Sequence, residues 1–207
     1  MKIGIMGGTF NPIHNGHLIL ADCAYREFKL DKIWFLPNGN PPHKENDEME
    51  TNIKQRVDMV KAALTGDERY ELCLYEADEN HIYYSYATME NFRKKFPQHQ
   101  FYFIIGADSL FDMEDWKYPE RLLPICTILA ACRDDIDTKS MRQQMDYLNQ
   151  KYHGDIRLLK APVVPAASSE IRRELKSGEN AADMVPAAVM NYIQTHHLYE
   201  KRINTHG

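Results

Sequence analysis

No two cysteines of this chain stand two residues apart. The four present, Cys23, Cys73, Cys126 and Cys132, are scattered, and the last three lie in or beside apolar, strand-like runs. That spacing gives neither a zinc-binding pair nor a disulfide framework, and the expectation is buried, reduced thiols in a cytoplasmic protein. Basic runs are missing as well: 25 Lys and Arg face 30 Asp and Glu, for a net charge of −5. Binding to a nucleic-acid backbone works through phosphate neutralisation, so this balance argues against nucleic acid as a partner. A nucleotide enzyme needs only a few local cations and stays open. No apolar stretch approaches the about 20 residues that cross a bilayer, which argues against a membrane span. Met1-Lys2-Ile3 enters a strand at once and carries no signal peptide. There is no internal repeat and no low-complexity tail.

What is present suits a soluble globular protein: 207 residues, 43% hydrophobic and 27% charged, long enough to bury a core as one domain over 1–207. Strand-like and helix-like segments alternate. Strands are expected at Lys2–Met6, Lys32–Leu36, Tyr70–Tyr75, Phe101–Ile105, Thr127–Ala131 and Ile156–Leu159. Helices are expected at Gly16–Phe28, from Thr51 as N-cap to Gly66, from Ser85 as cap to Pro97, at Thr138–Tyr152, Ser169–Lys176 and Pro186–His196. In the second of these, Ile53, Val57, Val60 and Leu64 form the apolar stripe. Such alternation predicts an α/β fold: a Rossmann-like, open, mostly parallel sheet with helices on both faces.

The first strand runs into Gly7-Gly8-Thr9-Phe10-Asn11-Pro12-Ile13-His14-Asn15-Gly16-His17. In open α/β sheets this strand-to-helix turn is where ligands bind. Glycines let backbone N–H groups approach a phosphate, and the helix start adds partial positive charge. His14 and His17, three apart, share one helix face if the helix begins near Asn15. A dinucleotide fingerprint fails, because Gly4, Gly7 and Gly8 lack the G-x-G-x-x-G spacing and strand two ends in Leu36-Pro37 rather than an acid. A zinc site lacks a third ligand nearby. A phosphate site fits, with the imidazoles donating to developing charge.

This stretch resembles the T/H-x-G-H signature of the nucleotidyltransferase α/β-phosphodiesterase superfamily, and its fuller form, GGTF(D/N)P-x-H-x-GH, is similar to that of bacterial nicotinate mononucleotide adenylyltransferases. Ala167-Ser168-Ser169-Glu170-Ile171-Arg172 resembles the second superfamily motif, S-S-T-x-I-R, with Ala167 and Ser169 as departures. Pro41-Pro42-His43-Lys44 matches the P-P-H-K loop, and Gly106-Ala107-Asp108 followed by Trp116 matches G-A-D…W. Ser85-Tyr86-Ala87 corresponds to S-Y-T with Ala87 in place of Thr, and Arg133 aligns weakly with the basic residue of V-x-x-R-P-G.

The resemblance implies transfer of AMP from ATP to nicotinate mononucleotide, giving nicotinate adenine dinucleotide and pyrophosphate. It assigns His14 and His17 to catalysis. Gly8, Thr9, Phe10, His17, Gly106, Asp108, Ser169, Ile171 and Arg172 fall to ATP, and Thr9, Asn38, His43, Lys44, Ser85, Ala87, Trp116 and Arg133 to the mononucleotide. Mg²⁺ would ride on the ATP phosphates, since no carboxylate cluster looks like a protein cage. Alternatives are a nicotinamide mononucleotide or phosphopantetheine acceptor, or a non-catalytic nucleotide sensor on the same scaffold. The oligomeric state is open, and a homo-oligomer is compatible.

Overall fold

The computed structural model describes residues 1–41, 50–133, 138–162 and 164–200. Six strands form one sheet in the order β3-β2-β1-β4-β5-β6: β1 Lys2–Gly8, β2 Lys32–Pro37, β3 Tyr70–Leu72, β4 Gln100–Ile105, β5 Thr127–Arg133 and β6 Asp155–Ala161. Every neighbouring pair is parallel, where the sequence predicts a mostly parallel sheet. The helices are α1 Asn15–Phe28, α2 Ile53–Leu64, α3 Ser85–Lys95, α4 Ala107–Phe111, α5 Pro119–Leu122, α6 Thr138–Tyr152, α7 Ser168–Ser177 and α8 Ala187–Thr195, with a 3₁₀ turn at Met113–Asp115.

Side-chain alternation along the strands splits the core between the two faces. On β1, Ile3 and Ile5 face one layer with Met89 and Phe92 of α3, Leu110 of α4, and Met141, Met145 and Leu148 of α6. Met6 faces the other, with Ala21 and Ala24 of α1, Met59 and Val60 of α2, and Val189 and Ile193 of α8. β4 alternates likewise, Phe103 and Ile105 against Tyr102 and Ile104. Helices thus cover both faces. None of the described helices is long and apolar enough to cross a membrane. No disulfide joins the four cysteines; Cys126 and Cys132 are buried, whereas Cys23 and Cys73 are only half-buried.

Four local expectations are corrected. Asn52, not Thr51, caps α2, its Oδ1 accepting from Gln55 N–H at 2.9 Å. Thr51 is buried instead, its hydroxyl turned to Asn11 Oδ1 at 2.7 Å. Tyr84, not Ser85, is the residue before α3, and Ser85 opens the helix. β3 stops at Leu72 rather than Tyr75, because only Tyr70–Leu72 find ladder partners on β2. The stripe of α2 also differs: its buried residues are Arg56, Met59, Val60 and Leu64, while Val57 is only partly covered.

The strand order reverses between β1 and β4, so the loops leaving their C-terminal ends part in opposite directions. A crevice opens there, as it does in doubly wound sheets generally.

Candidate active site

The loop after β1 is held by three side chains from two distant helices. Arg56 Nη1 of α2 donates to Thr9 O at 2.7 Å, Arg172 Nη1 of α7 to Asn11 O at 2.7 Å, and Ser168 Oγ to Pro12 O at 2.9 Å. Asn11 is buried, and its Oδ1 accepts from Thr51 and, at 2.6 Å, from the Tyr199 hydroxyl. Phe10 takes φ 50°, in the left-handed region, which turns its ring into the core against His17 and Phe35. A loop tied at four successive residues presents the same surface to each ligand.

His14 occupies the N-cap of α1 in extended backbone, so both imidazoles stand where the helix start is most positive. Their ring centroids are 3.7 Å apart with planes tilted by 35°. Gly16 makes room for this pairing: a Cβ there would lie 3.0 Å from the Cε1 and Nδ1 of His14. The His14 main-chain N–H donates to His17 Nδ1 at 3.2 Å. That bond assigns the proton of a neutral His17 to Nε2, leaving Nε2–H as a donor for an anion.

Burial, and after it the His14 charge, hold the His17 pKa well below the usual imidazole range. Between that lowered value and about 6.5 the unfolded chain binds the extra proton and the folded one does not. Stability therefore rises with pH across this window and levels off above it. Melting curves over pH should show a loss below about pH 6.5, less marked in His17→Asn; identical slopes would show that His17 is not the group responsible.

The two imidazoles line a cavity of about 740 Å³ at the crevice. Gly8, Thr9, Asn38, Ser85, Gly106 and Trp116 share its wall, so with the histidines eight of the expected site residues come together. The α7 start joins them through Ala167 and Ser168. Trp116 and Phe103 meet with their ring planes nearly perpendicular, centroids 6.2 Å apart, and Trp116 is half-buried on the cavity wall.

Other expected residues stand elsewhere. The Phe10 and Ile171 side chains are buried in the core, so only their main chains remain for a ligand. Asp108 is exposed and off the wall, which Ser109 and Asp112 line instead, because α4 turns at once after Gly106. Ser169 is exposed on α7, and the serine at the cavity is Ser168. Arg172 acts on the loop carbonyl rather than lining the cavity. Ala87 is exposed and off the wall, and its N–H is bonded to Tyr84 O at 3.0 Å. His43, Lys44 and the side chain of Arg133 lie outside the described residues.

Sequence reasoning missed several wall residues. Glu76 is buried, accepts Thr88 Oγ1 at 2.6 Å and Asn38 Nδ2 at 3.1 Å, and has its carboxyl pKa raised by burial. It thereby fixes the Asn38 amide at the cavity. Tyr83 and Tyr84 line the same side, and Lys117 is the one Lys or Arg on the wall among the described residues. The doublet Tyr83-Tyr84 directly before the Ser85 motif was the available signal. Among the described residues no three His, Cys, Asp or Glu side chains converge as a metal cage.

A family described as Cytidylyltransferase-like matches residues 5–174. A probable nicotinate-nucleotide adenylyltransferase of Lachnoclostridium phytofermentans is 39% identical, covering 96% of this chain and 98% of its own. One from Clostridium tetani is 38% identical over the same shares. Among solved structures, Plasmodium falciparum nicotinic acid mononucleotide adenylyltransferase complexed with NaAD superposes with TM-score 0.76 at 20% identity, over 96% of this chain and 97% of that one. The same enzyme complexed with APC gives TM-score 0.77 at 19% identity, over 96% of each chain. At such identity these two show a shared fold. Near-complete coverage by sequence relatives goes further: the chain belongs to the cytidylyltransferase-like family and, within it, to the nicotinate-nucleotide adenylyltransferases.

Proposed function

We propose that the chain, acting as one unit over its whole length, transfers AMP from ATP to nicotinate mononucleotide, releasing pyrophosphate. The observation that carries the reading is the pair of closely set imidazoles at the α1 N-terminus, on the wall of one cavity that also reaches Trp116 and the start of α7. A phosphate oxygen of the mononucleotide attacks the α-phosphorus of ATP, and the bond from that phosphorus to the bridging oxygen breaks. The attacking group is already anionic, so no general base is required, and catalysis consists of positioning and charge stabilisation.

His17 Nε2–H and His14 face the reacting phosphates. The main-chain N–H groups at the α7 start receive the leaving pyrophosphate, while Ser168 and Arg172 steady the loop through Pro12 O and Asn11 O. Gly106 and the neighbouring Ser109 suit the adenosine side. Trp116 stacks on the pyridine ring, with Asn38 and Ser85 beside it. Lys44 and His43 hold the acceptor phosphate, a role taken from their family motif. Mg²⁺ carried by the triphosphate fits a site whose described residues offer no three-ligand cage; it would add charge neutralisation. A cytoplasmic location suits four cysteines that form no disulfide.

The test is a substrate comparison. Purified protein with ATP and Mg²⁺ is offered the acid mononucleotide, its amide and phosphopantetheine at equal concentration, with products weighed by mass spectrometry. Preferential formation of nicotinate adenine dinucleotide is expected. A clear preference for the amide or phosphopantetheine refutes the acceptor assignment, and nucleotide binding without any pyrophosphate release identifies a sensor instead.

A further inference from the structure

Arg56 lies on the core-facing stripe of α2 with 0% of its surface exposed, a position where an apolar side chain would normally pack. Its guanidinium binds no substrate wall. It donates from Nη1 to Thr9 O at 2.7 Å and to Asn38 O at 2.6 Å, and from Nη2 to Gly39 O at 3.1 Å. Thr9 belongs to the loop after β1, which carries the paired histidines; Asn38 and Gly39 belong to the loop after β2, which carries the acceptor-side residues. One planar fork therefore ties together the two loops on which the two substrates rest.

Burial of a permanent charge is costly and needs compensation. Here it lowers the Arg56 pKa to about 10, with Glu79 and Tyr199 acting against the shift. Three carbonyl dipoles converge on Nη1 and Nη2, while Nε finds no partner among the described residues. The fork is thus placed to serve the loops rather than to satisfy its own donors. A lysine has one ammonium at the end of a flexible stem and cannot reproduce two fixed directions.

Resting on the adenylyl-transfer reading above, we infer that Arg56 is a positioning residue, which sets the distance between the ATP loop and the acceptor loop and so brings the attacking phosphate oxygen into line with the α-phosphorus. It touches neither substrate. Misplacement by about 1 Å costs on the order of 10²-fold in such a transfer, so the effect falls on turnover when both substrates are bound, not on the binding of either alone.

Arg56→Lys and Arg56→Met test this, with calorimetry for each nucleotide separately, steady-state kinetics for the transfer, and thermal melting. The expected result is a folded protein that binds ATP and the mononucleotide singly as the wild type does, with kcat lower by on the order of 10²-fold. Wild-type kcat in a folded Arg56→Lys, or a loss that appears wholly as weaker binding of one nucleotide, overturns the inference. In Arg56→Ala, titrated with methylguanidinium, turnover should keep recovering beyond the concentration that restores the melting temperature. Parallel recovery of both makes Arg56 structural only and also overturns it. Failure of the wild type to form the dinucleotide at all refutes the functional reading itself, a result distinct from wild-type turnover in the variants.

Discussion

Replacing His17 by alanine is expected to lower kcat by about 10²–10³-fold, the usual cost of one lost donor to developing charge, with the fold retained. The His17 ring is only partly covered, packs edge-on against Phe10 and lies tilted beside His14. Its removal opens a gap at the cavity wall, not in the closed core, so water fills it and melting changes little. What is lost is the Nε2–H donor, oriented by the bond from the His14 main chain. ATP binding by the loop amides and the helix start should persist, which separates this variant from an unfolded one. Kinetics and circular dichroism on the same preparation check both halves. A rate near that of the wild type would remove His17 from the mechanism.

Gly39→Ala is the second large effect, and it acts on the acceptor side. A Cβ at Gly39 would stand 2.4 Å from both C and O of Asp78 and 2.7 Å from its N. These are backbone atoms and cannot rotate away. Gly39 N–H also donates to Glu76 O at 2.8 Å, and its carbonyl accepts Arg56. The loop after β2 must then part from the segment carrying Glu76, which orients Asn38. Overpacking of this kind costs about 1–3 kcal/mol in stability, and a displacement near 1 Å lowers kcat/KM for the acceptor on the order of 10²-fold. Melting and kinetics with varied acceptor, at saturating ATP, read the two effects. Unchanged kcat/KM and melting temperature would mean the two segments do not depend on their close approach.

The alternation of strands and helices was legible because apolar periodicity and capping residues are local signals. So was the first motif: a strand followed by Gly7-Gly8 and two histidines three apart constrains its own geometry. Arg56 was not legible. A charged residue within an amphipathic helix reads as solvent-facing, and only the tertiary arrangement of Thr9, Asn38 and Gly39 around it reverses that. Val57 reads as a core residue by the same local logic, yet α2 buries Arg56 and Met59 beside Val60 and Leu64 and leaves Val57 only partly covered. Thr51 was read as a cap, yet its hydroxyl goes to Asn11, 40 residues away. Arg172 and Ser168 likewise spend their donors on loop carbonyls, a long-range commitment that a motif cannot reveal. Glu76 lay in a polar segment with no periodicity, and its burial depends on Asn38 and Thr88 meeting there.

The proposed reaction is a single displacement at phosphorus, with neither a protein nucleophile nor an adenylylated intermediate. The most direct measurement is the stereochemical course with ATP made chiral at the α-phosphorus and nicotinate mononucleotide as acceptor. One in-line attack in the cavity predicts a dinucleotide with inverted configuration. Retention would require two successive displacements through an adenylylated side chain and would contradict the account.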